Sequence, residues 1–268
     1  MLKALLHGKA GRIEYHGQDS ISWCTLFKQR EDLMTAAIFG RFGYLSSNTQ
    51  ACLLRSWFQC EDNFSDFESI EFWPRYHLRN SDSEGTVEPD ILLRFKSCNL
   101  LVEVKPPKGG NQYYQQWNRQ VAAFYQSDEQ SHLPLYFLAV GRIESGDAIQ
   151  WGNQLRGNFQ GIARTGAIKW QPITNSILRL IQLGKTTYQD QRILEDMLEA
   201  LQLYGLKASL MSWADLKHSS LLQNTNNVTE TLCYWTPTIS GQTCWSNFSD
   251  ALTGIPHINM ESIKQWNM

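Results

Sequence analysis

Residues 87–107, VEPDILLRFKSCNLLVEVKPP, carry two apolar runs on either side of a short polar connection. Runs this short, rich in Ile, Leu, Val and Phe and split by a turn-forming stretch, read as two antiparallel strands with a buried face. Three charges stand in this otherwise apolar hairpin, where burial is costly. Asp90 opens the first run directly after Pro89, and Glu103 and Lys105 interrupt the second.

Geometry sorts these charges. With 96–99 as a four-residue connection, Phe95 faces Leu100, Leu93 faces Val102 and Ile91 faces Val104. That face is wholly apolar and is the expected core side. Side chains alternate along a strand, so Asp90, Glu103 and Lys105 share the opposite face and gather at one end. An exposed cross-strand ion pair, contributing about 0.2–1 kcal/mol, is one account of them. The following PPKGG and a helical pattern supply another, because this end is then a strand terminus where loops meet. Two carboxylates one side chain apart can share a divalent cation through hard oxygen ligands. A neighbouring ammonium can orient a water or neutralise charge on a phosphate. Phosphodiester cleavage needs those parts.

The rest of the chain supplies layers for the hairpin. A hairpin is expected around residues 8–19, a helix over 25–45 and a short helix over 50–58. A strand follows over 67–78, then a polar loop over 79–89. Beyond the central hairpin come a helix over 111–126 and a continuous apolar strand over 133–141. A strand over 166–170 and an amphipathic helix over 190–206, closed by Gly205, are read further on; the last forty residues have no assigned element. This order predicts a mixed α/β layer structure.

Composition narrows the function classes. The chain has 268 residues, 42% of them hydrophobic, enough for a full core. Its net charge of −2 means that a nucleic-acid partner must meet a local basic surface, with Arg75, Arg79, Arg94 and Arg119 as candidates. Lys108, beside Gly109 and Gly110, reads as a phosphate contact or a solvated loop lysine. No apolar run reaches the length of a membrane span, and the N-terminal segment lacks a secretory-signal pattern. The six cysteines show no CxxC pair, in keeping with reduced thiols and a cytoplasmic location. The six histidines form no close pair, and no Walker or Rossmann glycine run is present.

Pro89-Asp90, followed after twelve residues by Glu103-Val104-Lys105, resembles the signature of the PD-(D/E)XK nuclease superfamily. Two further features are similar to that family. Phe27, Glu31, Met34 and Ile38 are spaced as one helical face, which puts Glu31 on an apolar stripe, either as a boundary residue reaching solvent or as a site residue. The family commonly carries an acid on the helix before its sheet. Tyr113, Trp117, Gln120 and Phe124 share a second helical face, and QVAAFY resembles the family's glutamine one helix after the ExK strand. There the glutamine holds the active-site lysine or touches the nucleic-acid backbone.

The resemblance spans roughly residues 25–140. It implies a restriction-endonuclease-like core, a central mixed sheet flanked by helices, over residues 1–150. Residues 151–268 are then expected to form a mostly helical C-terminal extension packed on that core. The implied activity is hydrolysis of phosphodiester bonds in DNA with Mg²⁺, or Mn²⁺ as a substitute. Asp90, Glu103, the Val104 carbonyl and Glu31 are the implied metal ligands; Lys105 positions the attacking water, supported by Gln120. The C-terminal region faintly resembles helical tails of nuclease-like proteins from bacterial defence and mobile elements. Two prolines directly after Lys105 depart from the pattern and shorten the strand. The alternative is a non-catalytic module of the same fold that binds DNA or serves in a larger assembly; whether the chain forms a homodimer stays open.

Overall fold

The apolar hairpin is the centre of a five-stranded sheet in the computed structural model, which describes residues 2–15, 18–80 and 83–207. In chain order, α1 (Leu2–Leu6), β1 (Arg12–Tyr15) and β2 (Gln18–Ser22) precede three helices, α2 (Trp23–Gln29), α3 (Glu31–Phe42) and α4 (Ser47–Phe58). Then come β3 (Phe67–Phe72), β4 (Tyr76–Asn80), β5 (Ser83–Val87), β6 (Ile91–Phe95) and β7 (Cys98–Val104). They are followed by α5 (Tyr114–Ser127), β8 (Leu135–Val140), α6 (Ser145–Asn158), β9 (Ile162–Ile168), α7 (Trp170–Leu183) and α8 (Tyr188–Leu203). The central sheet has the order β3-β6-β7-β8-β9. Its β3-β6-β7 half is antiparallel, and its β7-β8-β9 half is parallel. The fold is therefore α/β with a mixed central sheet and helices.

The hairpin register differs from the expected one. Ile91 pairs with Val102, Leu93 with Leu100 and Phe95 with Cys98, leaving only Lys96 and Ser97 to turn the chain. The tighter connection moves the pairing by two residues. An even shift leaves every side chain on its expected face. Continuing the register by one residue sets Asp90 across from Glu103, where Lys105 was expected.

Both faces of the sheet are covered, so the second face is core as well. On one face Ile91, Leu93, Phe95, Val102 and Val104 pack with Met34, Ile38, Leu54 and Leu194, from α3, α4 and α8. On the other, Leu92, Leu101 and Phe137 pack with Trp117, Val121 and Phe124 of α5 and Leu155 of α6. Tyr76, Leu78 and Val87, from the β4-β5 hairpin, extend this second layer. That hairpin replaces the expected single strand over 67–78 and polar loop over 79–89. The chain breaks between β3 and β4 at Trp73, whose φ of 52° is followed by Pro74.

Two boundaries also move. The helix expected over 25–45 is two helices, because Arg30 is extended at φ −105° and ψ 115°. The domain boundary at residue 150 falls inside α6, and β9 beyond it is the fifth strand of the sheet. Residues 151–207 thus belong to the core layers. The expected C-terminal extension beyond 207, with Cys233 and Cys244, lies outside the described residues. Cys24, Cys52, Cys60 and Cys98 are free thiols. Among the described residues no helix is long and apolar enough to cross a membrane.

Gly166 shows how closely β9 is packed: a Cβ there would lie 2.7 Å from the Phe58 ring. Gly166→Ala is therefore expected to destabilise the protein by about 1–3 kcal/mol. Gly157, in α6, has nothing within 4 Å of its would-be Cβ, so Gly157→Ala should be neutral or stabilise by up to about 1 kcal/mol. Chemical denaturation of both variants checks this.

Candidate functional site

The two layers meet at the end of the sheet where β6 begins and β7 and β8 finish. Oxygens of Glu31, Asp90 and Glu103 there lie within 4.8 Å of one another. Three different pieces of local structure deliver them. Glu103 faces α5 near the end of β7 and is only 1% exposed. Asp90, just ahead of β6, accepts a 2.7 Å hydrogen bond from the Val104 amide through Oδ2. Glu31 is the first residue of α3, placed there by the extended break at Arg30. An acid in a first helical turn also complements the helix dipole, a common structural use.

Lys105 stands one residue past β7. Its Nζ lies 2.5 Å from Glu103 Oε1 and 3.2 Å from Glu31 Oε1. All the acidic and basic residues expected at the site are thus brought together. Glu31 arrives differently from the expectation, however. Its helix packs on the face opposite α5, and the side chain, still 30% exposed, meets the others around the sheet end. The stripe containing Phe27 does not exist, because Phe27 belongs to α2. Met34 and Ile38 do form the buried face of α3.

Gln120 is 2% exposed and donates to Glu103 Oε2 at 2.5 Å. It holds the glutamate, whereas the family pattern would put it on the lysine or on nucleic acid. Two partners were missed in the sequence. Gln116 donates to Glu103 Oε1 at 2.6 Å. Gln112 donates to the Glu103 and Val140 carbonyls at 3.3 and 3.1 Å, and accepts from the Trp117 indole. Gln116 and Gln120 stand four apart on α5, the signal that marks them as one helical face, whereas Gln112 precedes the helix.

Two of the four arginines that were candidates for a basic rim are paired with acids. Arg94 is enclosed, with Nη2 2.7 Å from Asp128 and Nε 2.6 Å from Glu71, and ties the hairpin to the loop after α5. Arg75 pairs with Glu88 at 2.8 Å. Arg119 lies beside Gly85, and the Arg79 side chain is outside the described residues. Lys108 is an exposed loop residue.

Three carboxylates and one ammonium leave two net negative charges when all are ionised. Burial, then the charge of Glu103, pushes Asp90 up to about 8, against the opposing effect of the Val104 amide and Lys105. Burial also raises Glu31, with Lys105 opposing it. Burial acts to lower Lys105, but Glu103, Glu31 and Asp90 outweigh it and the ammonium is held more firmly than usual. The site fits a hard divalent cation. Its charge would cancel the excess, and Asp90 Oδ1 and Glu31 Oε2 have no hydrogen-bond partner among the described residues. Gln120 Oε1 is likewise buried without a partner. Beside them the Val104 backbone is tied to Asp90 through its amide.

No family model matches the chain, and no solved structure matches it. The chain is 26% identical over 239 residues to the uncharacterized protein PM0110 of Pasteurella multocida strain Pm70, covering 83% of this chain and 87% of that one.

The raised Asp90 carboxyl gives a signed pH effect. Below its ordinary value of 3.8, folded and unfolded chains are both protonated, and burial carries no charge cost. As pH rises toward about 8, the unfolded chain ionises freely while the folded one resists, so stability falls across that window. In EDTA, the melting temperature should therefore drop between pH 5 and pH 9, and Asp90→Asn should make this fall shallower.

Proposed function

We propose that this chain is a metal-dependent nuclease of the PD-(D/E)XK type, hydrolysing phosphodiester bonds in DNA with Mg²⁺ or with Mn²⁺ in its place. The observation that carries the reading is the convergence of Glu31, Asp90, Glu103 and Lys105 at one sheet end. Its support is chemical. Hard oxygen ligands, net negative charge and an adjacent ammonium are what such hydrolysis requires. The order helix, antiparallel hairpin, helix, parallel strand also agrees with a restriction-endonuclease-like core.

In this reading Asp90 and Glu103 hold the ion, with Glu31 and the Val104 carbonyl beside them. When bound, the ion supplies Lewis acidity toward a phosphate oxygen and a water. Lys105 orients that water and offsets charge building on the phosphate. Gln116 and Gln120 keep the Glu103 carboxylate in one orientation. The biological setting, bacterial defence or mobile-element function, rests on resemblance alone.

A non-catalytic DNA-binding or assembly module is the second reading. It is favoured by a Lys105 already satisfied by two carboxylates and by the net charge of −2.

Purified protein incubated with plasmid and single-stranded DNA, with Mg²⁺ or Mn²⁺, separates the two. Lys105→Ala leaves the carboxylates in place, so calorimetric Mn²⁺ affinity should persist while cleavage falls about 10²-fold or more. Asp90→Ala should lower affinity and cleavage together. A wild type that neither binds the ions nor cuts would leave the module reading standing; Lys105→Ala cutting at the wild-type rate would remove Lys105 from the chemistry.

A further inference from the structure

Lys105 occupies an awkward place in the backbone. Its amide continues the parallel ladder, donating to the Val140 carbonyl at 2.8 Å. Its carbonyl is not met by the ladder in the same way. Gly141, the next residue of the neighbouring strand, has φ +117° and directs its N–H to the opposite side, donating to the Ile168 carbonyl of β9 at 2.9 Å. Pro106 and Pro107, which follow Lys105, have no N–H to offer any neighbour. A strand end of this kind frays unless a side chain takes over.

Trp170 takes over. At the start of α7 and 2% exposed, it donates its indole N–H to the Lys105 carbonyl at 2.7 Å. From the other side Gly141 presses directly on the same carbonyl, so a Cβ at 141 would lie 2.3 Å from the Lys105 oxygen. Only glycine combines this φ with this approach. We propose that Trp170 and Gly141 form a clamp on the Lys105 backbone and are positioning residues for its ammonium group. Without the clamp the last residue of the ladder is free to swing, and the Lys105 side chain no longer points reliably at Glu103 and Glu31. The functional consequence rests on the nuclease reading above; the clamp itself does not.

The test is built on that separation. Trp170→Phe keeps a buried aromatic ring and removes the N–H. Lysine acylation read by mass spectrometry should show Lys105, shielded in the wild type, labelled at least five-fold faster in Trp170→Phe. Exposed Lys96 and Lys108 should be unchanged. Equal labelling of Lys105 in both proteins, or a parallel rise at all three lysines, overturns the clamp and leaves Trp170 a packing residue. If the wild type cleaves DNA, Trp170→Phe should cut about ten-fold more slowly at unchanged Mn²⁺ affinity; an unchanged rate refutes the positioning role. If the wild type does not cleave, the nuclease reading fails while the labelling still decides the clamp. Should Trp170→Phe not fold, amide exchange in the wild type decides it. A clamped Lys105 exchanges as slowly as the amides in the middle of β7, and a frayed one exchanges much faster.

Discussion

The Glu103 carboxylate is buried at a sheet end, and the surrounding structure answers that single cost. An ionised carboxylate removed from water is expensive unless its lone pairs are taken up by donors and its charge is opposed. Lys105 and Gln116 meet one oxygen and Gln120 meets the other. These donors fix α5 along and across the sheet, because both glutamines must face β7 at once. Gln112 adds a tie from the residues before α5 to the backbone of β7 and β8. The apolar contacts of Trp117, Val121 and Phe124 supply most of the cohesion of that layer. The polar ladder sets which register of helix on sheet is adopted.

Glu31 shows why the site must lie at an edge of the core. A helix on one face of a sheet cannot reach a residue on the other face through the strands. It can do so only past their ends. The extended residue Arg30 stops α2 and restarts the chain as α3, so that the first turn of α3 overhangs the sheet terminus. The two layers are joined at this end through Lys105, which bridges Glu31 from one and Glu103 from the other.

Much of this was legible in the sequence, for reasons that differ by residue. The faces of the central hairpin survived a wrong turn length because strand periodicity is two and the error was two. An error of one would have inverted them. The helix break at Arg30 carries no Pro or Gly to announce it, so the spacing reads as a continuous stripe through Phe27. Glu31 reached the site by the break instead. The fifth strand reads as lying outside the core because Ile162–Ile168 sets Arg, Thr and Gly in its middle, with its large apolar side chains only at the two ends. As an edge strand it has one neighbour, and it packs through Gly166 against Phe58, a contact that hydrophobic pattern cannot reveal. Gln116 was unreadable alone. Its role depends on Glu103 being turned toward α5, which is a tertiary fact.

A cluster built only for stability would be arranged differently. Apolar residues of similar volume are often as stabilising as a buried ion pair, without the desolvation cost. A structural pair would also balance its charges. Around Arg94 the buried charges do so: Asp128 lies below its usual range because the guanidinium and the Tyr76 hydroxyl outweigh the effect of burial, and the second acid on Arg94, Glu71, is exposed to solvent. At the sheet end the balance is left open. Three acids surround one base, and Asp90 is held partly buried with its carboxyl shifted up to about 8. The fold tolerates that imbalance at the point where both layers, the hairpin and the α7 terminus meet, a degree of construction that a surface ion pair does not need.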